Sequence, residues 1–508
     1  MPGEANLGAA LWVAAARSPE QVFLIDRHPT GEHTTWTYSS FFNLVRRYAG
    51  GLRAAGAQPG DRVVVQVEKS PEAVALYVAC LWAGTVHVPL NPRFTSEEHA
   101  YFLSDSDPRV VITDDEIALS EELIATATGV RSWMTLNESG NGSFATWANS
   151  ITPLDDPIDR SPNDLAAILY TSGTTGQPKG AALSHRNLHD NATALSQAWR
   201  FDRSDRLLHA LPIFHVHGLF VALHCAMLAT STVLFHRTFH ADAVAADLAE
   251  STVFMGVPTH YIRLCGSGKL TRTLCAGMRL FTCGSAPLTE DVFARFTELS
   301  GHEICERYGM SETGITLSNP YDGPRIPGTV GFALPGVEAQ VVDDHQQPVQ
   351  PGTIGVLAIR SNQTMNEYWG RPDATDAAIF GDRWFLTGDV ASMTSDGRVT
   401  LQGRTGDMII SGGENVYPKE IEQLLDQLPE VHESAVIGLA DHDLGERVVA
   451  VLAGPAPSLT VAQVRELLTG KLARFKHPRQ VFWVDELPRN AMGKVQKADL
   501  RRRYQSVL

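Results

Sequence analysis

Several features that would assign a protein to a broad class are scarce or absent in this sequence of 508 residues. Only six cysteines occur, and none forms a CxxC pair, which excludes a disulfide scaffold and argues against a zinc ribbon. No run of about 18 apolar residues is present, so a membrane-spanning helix is not expected. Basic residues are in deficit, because 42 Lys and Arg stand against 57 Asp and Glu, for a formal net charge of −15.

The acidic balance also excludes some partners. It argues against bulk electrostatic binding of nucleic acid or of an anionic membrane, although a local basic pocket could still bind an anionic ligand. The N-terminal segment MPGEANLGAALWVAAARSPE has an early Glu4 and no early Lys or Arg, unlike a signal or transit peptide. We therefore predict a cytoplasmic protein without stable membrane association.

The order of apolar patterns along the chain predicts an α/β fold. Residues 36–130 alternate helical runs such as FFNLVRRYAGGLRAAG with strand-like runs such as DRVVVQVE, which is typical of parallel sheets. From about residue 328 strands dominate, and we expect a small β-barrel or antiparallel sheet there. We predict an N-terminal domain over residues 1–403 and a small mobile α+β domain over residues 404–508.

The strongest local signal is YTSGTTGQPKG, from Tyr170 to Gly180. Its glycines let backbone N–H groups approach an anion closely, its hydroxyls add donors, and Lys179 adds charge, as a phosphate-binding loop requires. The string is not the P-loop GxxxxGK[ST], because Pro178 stands at the second Gly position and neither Ser nor Thr follows Lys179. A Gly/Ser/Thr surface turn is the alternative.

This string resembles the signature of the adenylate-forming superfamily, which contains acyl-CoA synthetases, peptide-synthetase adenylation domains and luciferases. Further motifs of that superfamily recur in order along the chain. The resemblance implies an enzyme that uses ATP, Mg²⁺ and coenzyme A to form an acyl-adenylate and then an acyl thioester. The recurring motifs are GSAPL (284–288), ERYGMSET (306–313), TGD (387–389), GRTGD (403–407), SGGENVYPKEIE (411–422) and PRNAMGKVQK (488–497).

The resemblance implies roles for individual residues. Glu312 would hold Mg²⁺, and Lys494 would stabilise the negative charge that develops between acyl oxygen and α-phosphate. A solvated loop acid and a surface lysine are the alternatives for these two catalytic residues. Tyr308 would lie against adenine, Asp389 would bind the ribose hydroxyls, and Arg404 would contact ribose or phosphate. The predicted ATP-binding set is Thr171, Ser172, Gly173, Thr174, Thr175, Gly176, Lys179, Gly284, Ser285, Ala286, Glu306, Arg307, Tyr308, Ser311, Asp389 and Arg404.

GRTGD resembles the hinge about which the C-terminal domain of the superfamily rotates between the two half-reactions. The superfamily often has a charged residue where Gly406 stands here, and glycine keeps the rotation possible. Gly412 and Gly413 would line the approach of coenzyme A. Because no carrier domain follows Leu508, free coenzyme A is the expected thiol. An adenylation enzyme that serves a carrier protein is the alternative.

The expected acid pocket includes LPIFHVHGLF (211–220) and GVPTHYIRL (256–264). His215 and His217 would share one face if their segment is extended, and too few further ligands are spaced for a metal site. Arg263 follows a buried-looking strand, and an arginine that faces a pocket requires an anion. This favours an acid with a second carboxylate, whereas an arginine that points to solvent from a helix is the alternative.

HALPIFHVHGLF, GVPTHYIRL, RLFTCGSAPL and ERYGMSET together resemble the malonyl-CoA synthetases. Val216 and Ile315 would set the room at the α-carbon, and the residue types leave malonate and methylmalonate open. Another short or medium-chain acid is the remaining alternative. The acid-binding residues that this resemblance implies are His215, Val216, His217, Arg263, Ser285 and Met310.

Overall fold

The fold consists of two large mixed sheets with helices around them and two smaller sheets, which confirms the predicted α/β class. It is seen in a computed structural model that describes residues 6–28, 33–117, 127, 129–171, 178–411, 414–441, 444–454, 459–469, 471–490 and 493–505.

The first large sheet has nine strands, of which the six central ones run parallel. Antiparallel strands lie at both edges of this sheet. In spatial order the strands are Phe332–Ala333, Gly314–Ser318, Cys305–Met310, Leu280–Cys283, Val253–Gly256, Arg206–His209, Thr232–Phe235, Val22–Arg27 and His33–Thr37.

The second large sheet has seven strands, and five of them run parallel. Two antiparallel strands close one edge. In spatial order the strands are Glu367–Tyr368, Lys179–Ser184, Leu165–Thr171, Val86–Pro89, Arg62–Gln66, Val110–Thr113 and Ser132–Thr135.

Helices begin where the sequence offers capping groups. Ser70 accepts a hydrogen bond from the N–H of Ala73 at 3.0 Å, and Pro71 then occupies the first helical position, where its missing N–H costs nothing. The α-helices are Leu7–Ala16, Tyr38–Ala54, Pro71–Trp82, Ser96–Ser106, Ser143–Asn149, His185–Ala198, His224–Leu228, Ala241–Asp247, Pro258–Gly266, Glu290–Ser300, Pro372–Ala378, Pro418–Leu425, Val461–Leu468 and Lys497–Gln505. A π-helix spans His217–Leu223, and 3₁₀ turns span Leu248–Glu250, Thr405–Asp407 and Arg474–Lys476.

The two smaller sheets follow in the last third of the chain. The third sheet is antiparallel and lies where the sequence predicts a small barrel or sheet. Its strands are Val337–Val342, Ile354–Ser361, Trp384–Met393, Ile379–Phe380 and Val399–Arg404. The fourth sheet contains Glu414–Val416, Ile409–Ser411, Gly445–Ala453, Glu433–Asp441 and, parallel to the long central strand, Gln480–Val484.

Buried apolar residues form separate cores on the two sides of the predicted hinge. The large cores contain residues up to Leu401, whereas two smaller cores consist only of residues from Ile409 onward. The predicted boundary at residue 404 falls between these cores and stays a prediction. All six cysteines are buried and free. In the described parts of the chain, no helix has the length and apolar character needed to cross a bilayer.

The parallel strands bring several of the motif strings to one region of the molecule. Thr171 ends a strand of the second sheet, while Gly284 follows a strand of the first sheet and Met310 ends its neighbour. In open α/β sheets, ligands bind outside the carboxyl ends of the strands. The candidate site therefore lies where the two large sheets present these ends.

Candidate active site

Glu312 is buried, which excludes its interpretation as a solvated loop acid. Its Oε1 accepts hydrogen bonds from the Tyr368 hydroxyl at 3.0 Å and from the Thr171 hydroxyl at 3.5 Å. The Lys179 ammonium lies 5.2 Å from the centre of the Tyr368 ring. Burial raises the pKa of Glu312 above its usual value. A buried carboxylate thus lies beside the two ends of the Gly/Thr loop, whose residues 172–177 are outside the described part of the chain.

Tyr308, Asp389 and Arg404 form one hydrogen-bonded cluster. The Tyr308 hydroxyl donates to Oδ2 of Asp389 at 2.5 Å, and Nε of Arg404 donates to Oδ1 at 2.9 Å. The cluster forms because Asp389 and Arg404 are direct partners on two paired antiparallel strands. The Asp389 carboxylate raises the pKa of Arg404, so the guanidinium stays charged. The structure therefore brings three residues predicted to bind the nucleotide into contact.

Lys494 comes to this region on a tight turn of the C-terminal segment. Its N–H donates to Oδ1 of Asn490 at 3.0 Å, and the N–H of Asn490 donates to the Lys494 carbonyl at 3.0 Å. Gly493 has a φ of 74°, a conformation that glycine adopts without strain. A Cβ placed at Gly493 would lie 3.3 Å from the Thr259 side chain. The turn therefore rests directly on the helix Pro258–Gly266 of the larger part of the molecule.

The electrostatic environment of Lys494 shows which groups surround it. The residue is exposed to solvent, yet desolvation by the neighbouring protein lowers the pKa of its ammonium. The positive charge of Arg404 lowers this pKa further, while Asp389 and Glu312 oppose the change. Lys494 also contributes to the low pKa of His215. The structure thus places Lys494 within electrostatic range of both carboxylates, and not at a remote surface.

Arg307 is a buried cation, two of whose nitrogens lack a hydrogen-bond partner in the part of the chain that the structure describes. The residue is only 3% exposed, and its Nε and Nη2 have no hydrogen-bond partner among the described residues. Its guanidinium lies over the backbone of Gly284, where an added Cβ would be 2.5 Å from Nη1. Burial lowers the pKa of Arg307 to about 10. A buried guanidinium of this kind is costly unless an anion pairs with it.

His215 and His217 lie in a turn that leads into a π-helix, so the extended conformation that would give them a shared face is not present. His217 begins the π-helix, and the Leu219 N–H donates to the His215 carbonyl at 3.1 Å. The buried Nε2 atoms of both imidazoles have no partner among the residues described. Burial lowers the pKa of His215 to about 3 and lowers that of His217 well below its usual range. Both imidazoles are therefore neutral.

The turn after the strand Leu280–Cys283 is strained and faces His217. Ser285 has a φ of 71°, in the left-handed region that residues other than glycine rarely adopt. Its Oγ lies 3.4 Å from Nδ1 of His217. Strain of this kind persists only where the surrounding structure enforces it. Other predicted pocket residues are half-buried: Val216, Ala286, Met310 and Ser311.

Arg263 is exposed in the last turn of the helix Pro258–Gly266. This exposure agrees with the alternative interpretation of the sequence, in which the arginine points to solvent from a helix. Arg263 nevertheless shares one face of this helix with Thr259, because residues four positions apart lie on the same side of an α-helix. Thr259 is the residue that the Gly493 turn contacts. Arg263 therefore lies on the side of the helix that faces the Lys494 turn, and its charge contributes to the low pKa of His260.

Two further features complete the site. Glu306 is buried, accepts a hydrogen bond from the Gly328 N–H at 3.1 Å, and has its pKa raised to about 8 by burial.

Tyr368, whose hydroxyl donates a hydrogen bond to Glu312, was not identified from the sequence, because its short strand contains no motif. Ser172, Gly173, Thr174, Thr175, Gly176, Gly412 and Gly413 are predicted site residues that lie outside the described parts of the chain.

Comparison with known families agrees with this geometry. The family described as AMP-binding enzyme matches residues 11–369, and the AMP-binding enzyme C-terminal domain matches residues 420–494. The chain therefore belongs to the AMP-binding enzyme family, the adenylate-forming superfamily of acyl-CoA synthetases that its motifs predicted. This membership defines the class as ATP-dependent, AMP-forming acid–CoA ligases.

The relatives of this chain include ligases named for different acids. The chain is 34% identical to the indoleacetate–CoA ligase of Aromatoleum aromaticum, with 92% of each protein covered. It is 33% identical to the mitochondrial malonate–CoA ligase ACSF3 of Mus musculus, with 96% of this chain and 90% of that protein covered. The two identities differ too little to favour one acid over the other.

Solved structures of one bacterial protein are also similar. Crystal structures of MatB from Rhodopseudomonas palustris are 43% identical to this chain, with 99% of each chain covered. The TM-score is 0.94 for the ATP-bound form and 0.83 for the apo form. Because both crystal structures are of MatB, the difference reflects conformation. The arrangement of the present chain is therefore closer to the ATP-bound form.

Proposed function

We propose that this enzyme converts a short dicarboxylic acid, malonate or methylmalonate, into its coenzyme A thioester. The observation that carries the proposal is the buried guanidinium of Arg307 near His217 and Ser285, whose Nε and Nη2 have no hydrogen-bond partner among the residues that the structure describes. A second carboxylate on the substrate would pair with this cation. The first carboxylate would then remain for reaction with ATP.

The surroundings of Arg307 support an anionic substrate group. His215, His217 and His260 are neutral because burial lowers their pKa values, so each imidazole offers one N–H donor without adding charge. Arg263 adds a second guanidinium on the cleft side. A monocarboxylic acid would leave the buried Arg307 charge unpaired, which is the basis for strong rejection of such an acid.

On the nucleotide side, we assign the phosphates to the loop between Thr171 and Lys179 and the ribose to Asp389. Glu312 is the residue that would hold Mg²⁺, and it fits a hard cation because it is a buried carboxylate whose described side-chain partners are two neutral hydroxyls. Bound Mg²⁺ would neutralise phosphate charge during the transfer. Tyr368 and Thr171 orient the Glu312 carboxylate for this purpose.

In the first half-reaction, an oxygen of the free substrate carboxylate attacks the α-phosphorus, and the bond to pyrophosphate breaks. We assign Lys494 to the negative charge that develops on the oxygens around this phosphorus. Its position within range of Glu312 and Asp389, and the contact of Gly493 with Thr259, support this role. The Lys494 turn would also exclude water from one side of the cleft.

In the second half-reaction, the thiol of coenzyme A attacks the acyl carbon and AMP leaves. We propose that the domain beginning at residue 404 rotates about Arg404–Gly406, which removes Lys494 and brings Gly412 and Gly413 to the cleft. The separate apolar cores before Leu401 and after Ile409 support a rotation of this kind, because the described residues form no core shared by the two sides. Cytoplasmic location stays a prediction from the sequence.

A panel of acids tests the substrate assignment. Pyrophosphate release is measured with acetate, butyrate, malonate, methylmalonate, succinate, benzoate and indoleacetate at equal concentrations. We expect malonate or methylmalonate to give the highest kcat/KM. An aryl acid is the second candidate, because the indoleacetate–CoA ligase is as similar in sequence as the malonate–CoA ligase. A preference for benzoate or indoleacetate would refute the diacid proposal.

A further inference from the structure

A buried amine connects the two large sheets at a distance from the reacting groups. Lys69 lies between the strand Arg62–Gln66 of the second sheet and the helix that follows it, and the residue is only 7% exposed. Its ammonium reaches the carboxyl ends of two adjacent strands of the first sheet, Arg206–His209 and Thr232–Phe235. Buried lysines are uncommon unless a specific set of partners accepts their protons.

The partners of Lys69 are unusual because none of those described is a carboxylate. Its Nζ donates to the His236 carbonyl at 2.5 Å and to the His209 carbonyl at 3.3 Å, and it lies 2.9 Å from Nδ1 of His209. The ammonium also lies 4.3 Å from the centre of the Phe235 ring. Three acceptors and an aromatic face match the three N–H donors of an ammonium.

These contacts determine the tautomer and the orientation of His209. Its Nε2 lies 2.9 Å from the carbonyl oxygen of Gly218, and only an N–H can bond to that oxygen. Nδ1 of the neutral ring must then be the acceptor that faces Lys69. The ring is also stacked on Phe235, with 5.4 Å between the ring centres and 12° between the planes. His209 is therefore fixed on three sides.

Gly218 links His209 to the proposed acid pocket. It is the second residue of the π-helix that begins at His217, the imidazole beside Ser285 and Arg307. A Cβ at Gly218 would lie 2.0 Å from the Pro212 carbonyl oxygen, so this backbone already fits tightly against its neighbours. A shift of the Gly218 carbonyl would therefore move His217.

We propose that Lys69 and His209 are positioning residues for the acid, acting through the Gly218 carbonyl on the π-helix that carries His217. Neither side chain touches the substrate in this arrangement. Lys69 holds the His209 ring in one tautomer, and His209 fixes the start of the π-helix. The inference rests on the proposed location of the acid pocket at His217, and it does not depend on which acid is bound.

Two substitutions at His209 test its contact with Lys69 and its contact with the Gly218 carbonyl separately. His209→Gln keeps a donor at the position of Nε2 toward Gly218, whereas His209→Asn keeps only an acceptor at the position of Nδ1 toward Lys69. KM for the acid and KM for ATP are measured by pyrophosphate release, with the acid that the wild-type enzyme uses best. We expect His209→Asn to raise the acid KM about tenfold, the effect of losing about 1.4 kcal/mol. His209→Gln should stay within about threefold of wild type, and the ATP KM should change less than about twofold in both.

Lys69→Met provides the second measurement. It should raise the acid KM to a similar degree, and its combination with His209→Asn should add little further, because both changes release the same carbonyl. Thermal unfolding of every variant establishes that it is folded, and the matched Asn and Gln variants decide the result if Lys69→Met is not. Equal acid KM values for these two variants, or parallel changes in acid and ATP KM, would overturn the inference. Failure of the diacid proposal would instead appear as a different preferred acid in the wild-type enzyme.

Discussion

Replacing Arg307 with methionine should change activity and stability in opposite directions. The residue is 3% exposed, and within the described ranges its Nε and Nη2 have no hydrogen-bond partner. In the free enzyme this buried charge destabilises the folded state, whereas in the complex with a diacid it would be paired with the second carboxylate. Methionine fills a similar volume without a charge, so the substitution removes both effects at once.

The size of each effect follows from the structure. Burial lowers the pKa of Arg307 from its usual value to about 10, which corresponds to about 3 kcal/mol of unfavourable free energy for the charged form in the folded state. Arg307→Met should therefore raise the free energy of unfolding by up to about 3 kcal/mol at pH 7 and raise Tm by several degrees. Loss of the buried charge pair should lower kcat/KM for malonate by about 10² to 10³.

The assay combines thermal unfolding with pyrophosphate release from malonate and from acetate. Arg279→Met is the matched control, because Arg279 is also an arginine with little exposure but is paired with Asp205 at 2.6 Å. Removing Arg279 leaves Asp205 unpaired, so that variant should lose stability and keep its preference among acids. The reasoning fails if Arg307→Met is less stable than wild type and keeps malonate kcat/KM within about threefold.

Other predictions concern Lys494, Gly493 and the buried carboxyl group of Glu306. Lys494→Ala should abolish adenylation, measured as pyrophosphate release, yet largely spare thioester formation from supplied acyl-AMP; equal loss of both would contradict its role. Because the pKa of Lys494 is lowered, adenylation in wild type should decline at alkaline pH below the usual lysine range, while thioester formation shows no such midpoint. Gly493→Ala should slow adenylation several-fold and leave the second half-reaction unchanged, because a Cβ there combines a φ of 74° with contact to Thr259. Glu306 keeps its proton in the folded state up to a pKa of about 8 but loses it near 4.5 when unfolded, so stability should fall between these pH values. Glu306→Gln should therefore raise Tm relative to wild type at pH 8.5 and not at pH 5, and equal Tm differences at both pH values would contradict this.

The sequence predicted the class of fold because alternating helices and strands depend on local strings, whereas the assignment of Tyr308, Asp389 and Arg404 to the nucleotide stays a prediction. Alternating apolar patterns predicted the sheets, and the motif ERYGMSET, which contains Glu312, predicted a carboxylate beside the Gly/Thr loop. The contact between Tyr308 and Asp389 joins residues far apart in sequence. The resemblance to a known superfamily assigned both residues to the nucleotide, but it did not predict that they touch. Pattern reading alone would not have found it.

The position of Arg307 shows where the sequence argument was incomplete. Its neighbour Tyr308 faces Asp389, whereas the Arg307 guanidinium lies on Gly284 near His217. Adjacent residues on a strand point to opposite faces, so the alternation within Cys305–Met310 could have separated their roles. The lack of partners at Arg307 depends on tertiary contacts and could not be deduced from residue types. Lys69 was not identified for the same reason.

The glycine beneath Arg307 has a consequence for how acid preference could change. Gly284 leaves a gap that the guanidinium fills, and one added methyl group would come within 2.5 Å of Nη1. A mutation at this position would leave the side chains of the proposed acid pocket unchanged, yet it would displace the cation that we propose to pair with the distal carboxylate. A single methyl group at Gly284 could thus convert the proposed diacid enzyme into one that accepts acids with uncharged substituents. The cluster of Tyr308, Asp389 and Arg404 would be left intact.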